Sequence, residues 1–181
     1  MTSVTPAEIL KFWREAGPEK WFAKDKTFDA EIARRFGDIQ REAAAGHLAQ
    51  WEDSAEGAYA LLLLLDQFPR NLYRGSPEAF ASDSLAVEVA QRALAQGFDQ
   101  RFPNPERRFF YLPFTHAEDL ALQERCVTLS RASGDEDALK WAELHRDVIR
   151  DFGRFPHRNA VLGRETTPAE RKFLEEGGFA G

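Results

Sequence analysis

Helix-start signals recur along this chain, and they constrain its fold more than any other feature of the sequence. Residues 5–8 (Thr-Pro-Ala-Glu) and 167–170 (Thr-Pro-Ala-Glu) are the same capping box, with proline at the first helical position. Residues 53–56 (Asp-Ser-Ala-Glu) and 115–118 (Thr-His-Ala-Glu) repeat the box without proline. No segment shows the alternation of apolar and polar residues that is typical of a strand. The sequence therefore predicts an all-α fold.

Apolar spacing between these signals predicts about eight helices. The third contains Tyr59 and five leucines, is apolar all round and should be the buried central helix. Short connections favour antiparallel helix pairs, and 181 residues is the size of one domain, 1–181. The predicted helices span 6–16, 28–45, 55–67, 78–96, 105–112, 117–132, 136–152 and 168–176.

Composition excludes several classes of protein. The net charge of -6 and the pI of about 5.3 argue against a nucleic-acid partner, which would favour a basic surface. The longest apolar run, residues 58–65, is too short to cross a bilayer, and the N-terminus lacks the features of a signal peptide. Cys126 is the only cysteine, so neither an intramolecular disulfide nor a cysteine zinc motif can form. We expect a cytoplasmic protein with no membrane partner.

Two segments of the chain echo each other. Residues 66–71 (Asp-Gln-Phe-Pro-Arg-Asn) form the first echo, and residues 152–159 (Phe-Gly-Arg-Phe-Pro-His-Arg-Asn) form the second. Each is predicted to follow the end of a helix, and residues 112–118 lie between them. Of the four histidines, His116, His145 and His157 fall in or just before the last two segments. We interpret this gathering of titratable groups at helix ends as one shared site, with Arg70 and Arg158 near a single pocket.

Charged groups also stand on predicted apolar stripes. Asp83 lies on the stripe of the fourth helix and His145 on that of the seventh. Asp66 ends the central helix, at the negative end of its dipole, where a carboxylate needs a cation such as Arg70. A buried carboxylate must be paired or hydrogen-bonded, so a salt bridge or a helix cap is the alternative to function for both aspartates. For His145 the alternative is a bond to a backbone carbonyl.

Structural explanations exist for some of the remaining candidates and not for others. The third position of a capping box explains Glu118, but the box needs no histidine at position 116. The Arg-Asn pairs, Arg70-Asn71 and Arg158-Asn159, have two interpretations: helix termination after Phe-Pro, or ligand binding. His157 is inserted only in the second echo and has no structural explanation. Beside Arg154 and Arg158 we expect it to be a neutral ring with a lowered pKa.

The same segments carry a resemblance to a known family. Together with Leu112-Pro113-Phe114, His116, Glu118 and residues 162–164, both echoes resemble the bacterial family catalogued as domain of unknown function 924. The resemblance covers nearly the whole chain, and its most specific part is the run Arg-Phe-Pro-His-Arg-Asn, residues 154–159. It implies a tetratricopeptide-like, all-α arrangement of helices. It supplies no established activity, substrate or catalytic residues.

Three functions compete on these residues. The first is a pocket for an anionic small molecule, with catalysis left open, in which His157 or His116 would exchange protons. Its ligand-binding candidates are Arg70, Asn71, Arg154, Arg158, Asn159, Asp66, Asp83, His145 and Glu118. The second is a tetratricopeptide-like module that binds a peptide or protein. The third is a metal site built from His116, Glu118, His145 and His157, which have suitable ligand types but no metal-ligand spacing.

Overall fold

The computed structural model describes residues 4–181, so the first three residues of the predicted domain lie outside it. Throughout these residues the regular secondary structure is helical, which confirms the all-α prediction. The chain forms two compact units: unit 1 runs to Arg74 and includes Glu78–Pro113, and unit 2 comprises Gly75–Pro77 and Phe114–Gly181. The single-domain assignment stays a prediction. Between residues 4 and 181, no helix is both long and apolar enough to cross a membrane.

The α-helices agree with the predicted ones most closely where capping boxes or glycines mark their ends. They are α1 (Pro6–Ala16), α2 (Pro18–Trp21), α3 (Lys26–Ala44), α4 (Ala55–Leu62), α5 (Phe68–Leu72), α6 (Asp83–Ala95), α7 (Leu112–His116), α8 (Leu120–Ser133), α9 (Glu136–Phe152) and α10 (Pro168–Glu175). Both proline-containing boxes form, at α1 and α10. The predicted bounds of α1 and α9 are confirmed.

The first echo does not follow the end of a helix, which corrects the prediction. A π-helical turn, Leu63–Gln67, joins α4 to α5, and helical structure continues through Pro69. In this turn the Phe68 N–H donates to the carbonyl of Leu63, five residues back. Proline lacks the N–H that the Leu65 carbonyl would otherwise accept. The Ser82 hydroxyl donates to that carbonyl instead, at 2.6 Å, so the proline leaves no unsatisfied acceptor.

Two predicted helices also change. The fourth is split into a 3₁₀ turn, Pro77–Phe80, and α6, and the fifth is replaced by a 3₁₀ turn, Glu106–Phe110, before α7. Residues 115–118 do not cap a helix: α7 ends at His116, and Asp119 caps α8 by accepting the Leu122 N–H. Aspartate is a better N-cap than threonine, and the Thr115 hydroxyl contacts the Cys126 thiol at 2.9 Å. The capping explanation of Glu118 is therefore wrong.

The core of unit 1 surrounds α4 and the π turn. Every residue from Gly57 to Leu65 is buried, which confirms the predicted central helix. Trp13 and Tyr59 are fully buried and both contact the ring of Phe109, at centroid distances of 5.5 and 5.8 Å. Burying such large rings removes much apolar surface from water and stabilises the unit.

Unit 2 is built on the packed pair α8 and α9, which are joined by a left-handed glycine, Gly134. The buried face of α9 contains Ala142, His145, Val148 and Ile149. The apolar spacing of the seventh predicted helix places Trp141, four residues before His145, on the same buried stripe. Trp141 is instead 45% exposed, because the buried face is displaced by one residue at that turn. Gly153, with φ of 72°, ends α9 and directs the second echo back onto this face.

Candidate functional site

In unit 1 the first echo contributes Arg70 to an internal ion-pair cluster. Arg70 donates from Nη1 and Nη2 to the two carboxylate oxygens of Asp83, both at 2.9 Å. Nη1 also donates to the Asp66 carbonyl at 2.8 Å and lies 3.4 Å from its carboxylate. The predicted partnership of Asp66 with Arg70 is confirmed. Burial alone would lower the pKa of Arg70, but the two aspartates outweigh it and raise that pKa.

Asp83 is mostly buried and hydrogen-bonded, as predicted, with 18% of its side chain exposed. It does not lie on the core stripe, however. Asp83 is the first residue of α6, and the buried face of that helix is formed by Ala86, Val89, Ala90 and Ala93. Its carboxylate is held by Arg70 rather than by the core.

Asn71, the last residue of the first echo, belongs to a neighbouring polar network in unit 1. It donates to Asp29 at 2.8 Å and accepts a bond from Gln67 at 3.0 Å. Arg74 holds the other oxygen of Asp29 at 2.6 Å. Neither Gln67 nor Asp29 was predicted to have a functional role. The helical spacing of Gln67, Asn71 and Arg74 is the sequence pattern that indicates this network. The network fastens α5 to α3.

In unit 2 two polar residues of the second echo, Arg154 and Asn159, belong to a chain of charged hydrogen bonds. Arg154 donates to both oxygens of Glu170, at 2.6 and 2.9 Å, and Asn159 donates to the same carboxylate at 3.1 Å. Glu170 is 2% exposed, and the hydrogen bond from Arg154 lowers its pKa to about 2. Arg164 extends the chain by donating to the side-chain oxygen of Asn159 at 2.9 Å. Glu170 could not be singled out from the sequence, because its place in the capping box accounts for it without a second role.

Glu118 completes this chain. It accepts two bonds from Arg164, at 2.6 and 2.9 Å, and one from the backbone N–H of Phe155 at 2.8 Å. Burial raises the pKa of Glu118, but the bonds from Arg164 and Phe155 outweigh it, and the net shift is downward. The carboxylate therefore stays ionised and fixes the start of the Phe-Pro-His-Arg segment.

Three histidines meet beside that segment, as expected for the part of the site that lies in unit 2. The His116 and His145 ring centroids are 6.4 Å apart. The Phe155 ring lies 5.6 Å from His145 and 5.6 Å from His157. Phe179 lies 4.5 Å from His145 and 5.2 Å from His157. We call His116, His145 and His157, with these two phenylalanines, the histidine cluster.

His145 and His157 are held neutral by their surroundings. His145 is 9% exposed and donates from Nδ1 to the Trp141 carbonyl at 2.7 Å, as its structural alternative predicted. Burial, followed by the proximity of His116, lowers the pKa of His145 to about 3. Burial and then Arg158 lower the pKa of His157 to about 4. The predicted direction for His157 is confirmed, but desolvation is the main cause rather than the arginines.

Arg158 lies next to the cluster. It is 7% exposed, and its guanidinium carbon is 4.5 Å from the centre of the Phe155 ring. A cation over an aromatic face is attracted by the ring quadrupole. The second echo therefore places a buried positive charge beside neutral imidazoles.

Some predicted arrangements are not found or stay predictions. Arg70 and Arg158 belong to different units, so their convergence on one pocket stays a prediction, as does a peptide-binding groove. In the part of the chain that the structure describes, no three His, Cys, Asp or Glu side chains are arranged to hold a metal ion, which argues against the metal site.

Two surface depressions of about 350 Å³ each lie along α1 and α3, and both include Phe12, Glu15 and Arg35 rather than the predicted site residues.

Comparison with known proteins places the chain in a family. The profile of a family described as bacterial proteins of unknown function, DUF924, matches residues 9–178. The chain belongs to this family. It is similar to a protein of unknown function from Agrobacterium tumefaciens, ATU0120, whose solved structure shares 50% sequence identity with a TM-score of 0.92. That match covers 95% of this chain and 97% of the other. A search of curated proteins found no match.

Proposed function

We propose that unit 2 binds a small anionic molecule, a carboxylate or a phosphate, at the histidine cluster, and that His157 exchanges a proton with it. The observation that carries this proposal is the state of His157. Its Nδ1 is buried and makes no hydrogen bond within residues 4–181, and its pKa of about 4 keeps the ring neutral near pH 7. A buried polar atom without a hydrogen bond destabilises the folded protein, and a catalytic role or a bound ligand is what accounts for such an atom in a native structure.

Electrostatics links anion binding to protonation of His157. Beyond burial, Arg158, Arg164 and His116 oppose a positive charge on this ring, and Glu118 favours it. A bound anion would add a second favourable charge at the same place and raise the pKa of His157. Binding would then be accompanied by proton uptake, which is the behaviour of a general acid–base group or of a pH-dependent binding site.

The ion-pair chain supports this site without contacting the anion. Arg154, Glu170, Asn159, Arg164 and Glu118 satisfy one another and the Phe155 N–H, so they act as positioning residues. Unit 1 contributes no group to the proposal, because both terminal nitrogens of Arg70 already bind Asp83.

Calorimetric titration tests the proposal. Inorganic phosphate and acetate are titrated into the protein at pH 5.5, in two buffers that differ in ionisation enthalpy. We expect the binding enthalpy to differ between the buffers because protons are taken up. We expect His157→Gln to abolish that difference and to weaken binding by about tenfold or more, the loss of one charge-assisted hydrogen bond.

His47 provides a matched control. It is the one histidine outside the cluster, it is exposed, and its Nδ1 lies 2.9 Å from Glu42. His47→Gln should leave both binding and proton uptake unchanged. Binding that survives His157→Gln with its proton uptake intact would contradict the proposal.

A further inference from the structure

The ring of Phe179 contacts two of the three histidines of the histidine cluster. Its edge-to-face contact with His157 has an interplanar angle of 88° at 5.2 Å, and its centroid lies 4.5 Å from His145. Phe155 completes the surroundings at 6.3 Å. The rings of His145, His157 and Phe155 therefore all contact the ring of Phe179, and we call the space that this ring occupies the ring slot.

The backbone around Phe179 is shaped to bring this ring back onto the cluster. Gly177 has φ of 83°, a conformation that side chains disfavour. A Cβ at position 178 would lie 2.5 Å from the Phe173 carbonyl oxygen, so only glycine fits there. The Gly178 N–H donates to that same carbonyl at 2.9 Å. Two glycines thus turn the segment after α10, and Gly181 lies against the His157 ring, where an added Cβ would be 3.1 Å from Nε2.

The contacts of Phe179 are suited to exchange with a ligand. Phe179 is half-buried and packs at the margin of the Val148, Ile149 and Phe155 core rather than within it. An aromatic ring in this slot gains edge-to-face contacts that an aliphatic group of equal size cannot make. Next to the slot stand the buried Arg158 guanidinium and the His157 imidazole, which are groups that recognise a carboxylate.

We propose that the ring slot is the subsite for the aromatic ring of an aryl carboxylate, and that Phe179 occupies it until the ligand displaces it. This inference rests on the proposed function, since the same cluster holds the anion. Phe179 is then a competitor inside the protein, and the affinity that is measured equals the intrinsic affinity reduced by the fraction of molecules in which the slot is open.

The test compares phenylacetate, cyclohexylacetate and acetate in calorimetric titrations of the wild type and of Phe179→Ala. We expect Phe179→Ala to bind phenylacetate about tenfold more tightly than the wild type does, because the competitor is removed. Acetate, which does not need the slot, should change by less than about twofold, and cyclohexylacetate should gain less than phenylacetate. Phe22→Ala, which removes an exposed phenylalanine of unit 1, is the matched control and should leave all three affinities unchanged.

The outcomes separate the two proposals. If phosphate and acetate bind with His157-dependent proton uptake but phenylacetate gains nothing from Phe179→Ala, the ring slot is wrong and the anion site stands. If none of the anions binds to either protein, both are wrong. Should Phe179→Ala unfold, the wild type decides by NMR: phenylacetate must shift the His145 and His157 ring signals as Phe179 leaves, and unchanged signals at saturation would overturn the inference.

Discussion

The two echoes contain the same Phe-Pro and Arg-Asn steps but have opposite structural roles. In unit 1 the first echo lies inside continuous helical structure, where Ser82 satisfies the carbonyl that Pro69 leaves open. In unit 2 the second echo begins where Gly153 ends α9, and the backbone N–H of Phe155 donates to Glu118. The first therefore fixes an arginine between two aspartates, whereas the second places a histidine in a cluster of rings. Backbone conformation, rather than the shared residues, separates the echo that holds an ion pair from the echo for which we propose a ligand.

Removing the arginine of the first echo should have the largest effect on stability. Arg70→Ala takes the cation away from Asp66, which is 2% exposed, and from Asp83. We expect the free energy of unfolding to fall by about 3–5 kcal/mol, as when one partner of a buried ion pair is lost. Urea denaturation measures this loss.

Two further variants test whether the loss of stability in Arg70→Ala comes from the unbalanced charges of Asp66 and Asp83. Asp83→Ala leaves Asp66 facing Arg70 and should cost less, about 1–3 kcal/mol. Arg34→Ala, which breaks an exposed pair with Glu31, should leave the unfolding midpoint nearly unchanged. If Arg70→Ala were as mild as Arg34→Ala, the first echo would not be the architectural one.

As the pH falls, the lowered pKa values of His145 and His157 should reduce the stability of the protein before the carboxylates of unit 2 become protonated. The pKa of His145 is lowered to about 3 in the folded state, so the unfolded chain binds its proton first as the pH falls below about 6.5. Stability should therefore decline between pH 6.5 and 4.5, by up to about 1.4 kcal/mol per pH unit for one such histidine. His116, Arg158 and His157 face His145 and oppose its charge.

The glutamates of unit 2 lose their contribution to stability only at lower pH, so the interval between pH 6.5 and 4.5 reports on the histidines. The pKa of Glu170 is lowered to about 2, so its contribution is full above about 4.5 and is lost as the pH falls toward 2. His145→Gln keeps a donor for the Trp141 carbonyl and should reduce the slope of stability between pH 6.5 and 4.5 by about half, because His157, whose pKa is lowered to about 4, contributes the rest. An unchanged slope in urea denaturation across that window would show that His145 is not held neutral.

Removing the Ser82 hydroxyl, which compensates for Pro69 at the π turn, should have a smaller effect on the free energy of unfolding. Ser82→Ala leaves the Leu65 carbonyl, which Pro69 cannot serve, without its hydroxyl donor. We expect a loss of about 1–2 kcal/mol, the cost of an unsatisfied buried acceptor. Ser84→Ala, on the exposed side of α6, is the control and should be close to neutral. Equal effects of the two serine variants would mean that Ser82 does not compensate for the proline.

The smallest effect on stability should come from the residue most important to the proposed function. His157→Gln removes a ring whose Nδ1 makes no hydrogen bond among the described residues. We expect the melting temperature to change by less than about 3 °C, which corresponds to roughly 1 kcal/mol for a chain of this size. Differential scanning calorimetry measures it, and a large loss with unchanged anion binding would make His157 architectural.

The sequence predicted the helices well where local signals act alone. The capping boxes at Thr5 and Thr167 and the glycine at 153 each determine an end through bonds within a few residues. It failed at Pro69 and at residues 115–118, because a distant side chain, Ser82, and a better neighbouring cap, Asp119, changed the outcome. Such competition cannot be judged before the fold is known.

The candidate site was predicted in part for the same reason. The three histidines are brought together as expected, since the His116 ring contacts that of His145, and the Phe155 ring contacts both His145 and His157. Glu170 and Phe179 were missed because their partners, Arg154 and His157, lie 16 and 22 residues away and the intervening turn gives no periodic signal. Arg70 was grouped with the site on the strength of the echo, although its charge is needed by Asp66 and Asp83.

The most direct test of the contrast between the echoes is an NMR titration of the histidine Cε1–H signals with and without inorganic phosphate. We expect phosphate to raise the pKa of His157 from about 4 toward 6.5, because a bound anion favours the charged ring. In Arg70→Ala, under conditions where the variant is folded, the phosphate-induced change at His157 should persist. A His157 titration that phosphate leaves in place would contradict the account, because the second echo would then be as purely structural as the first.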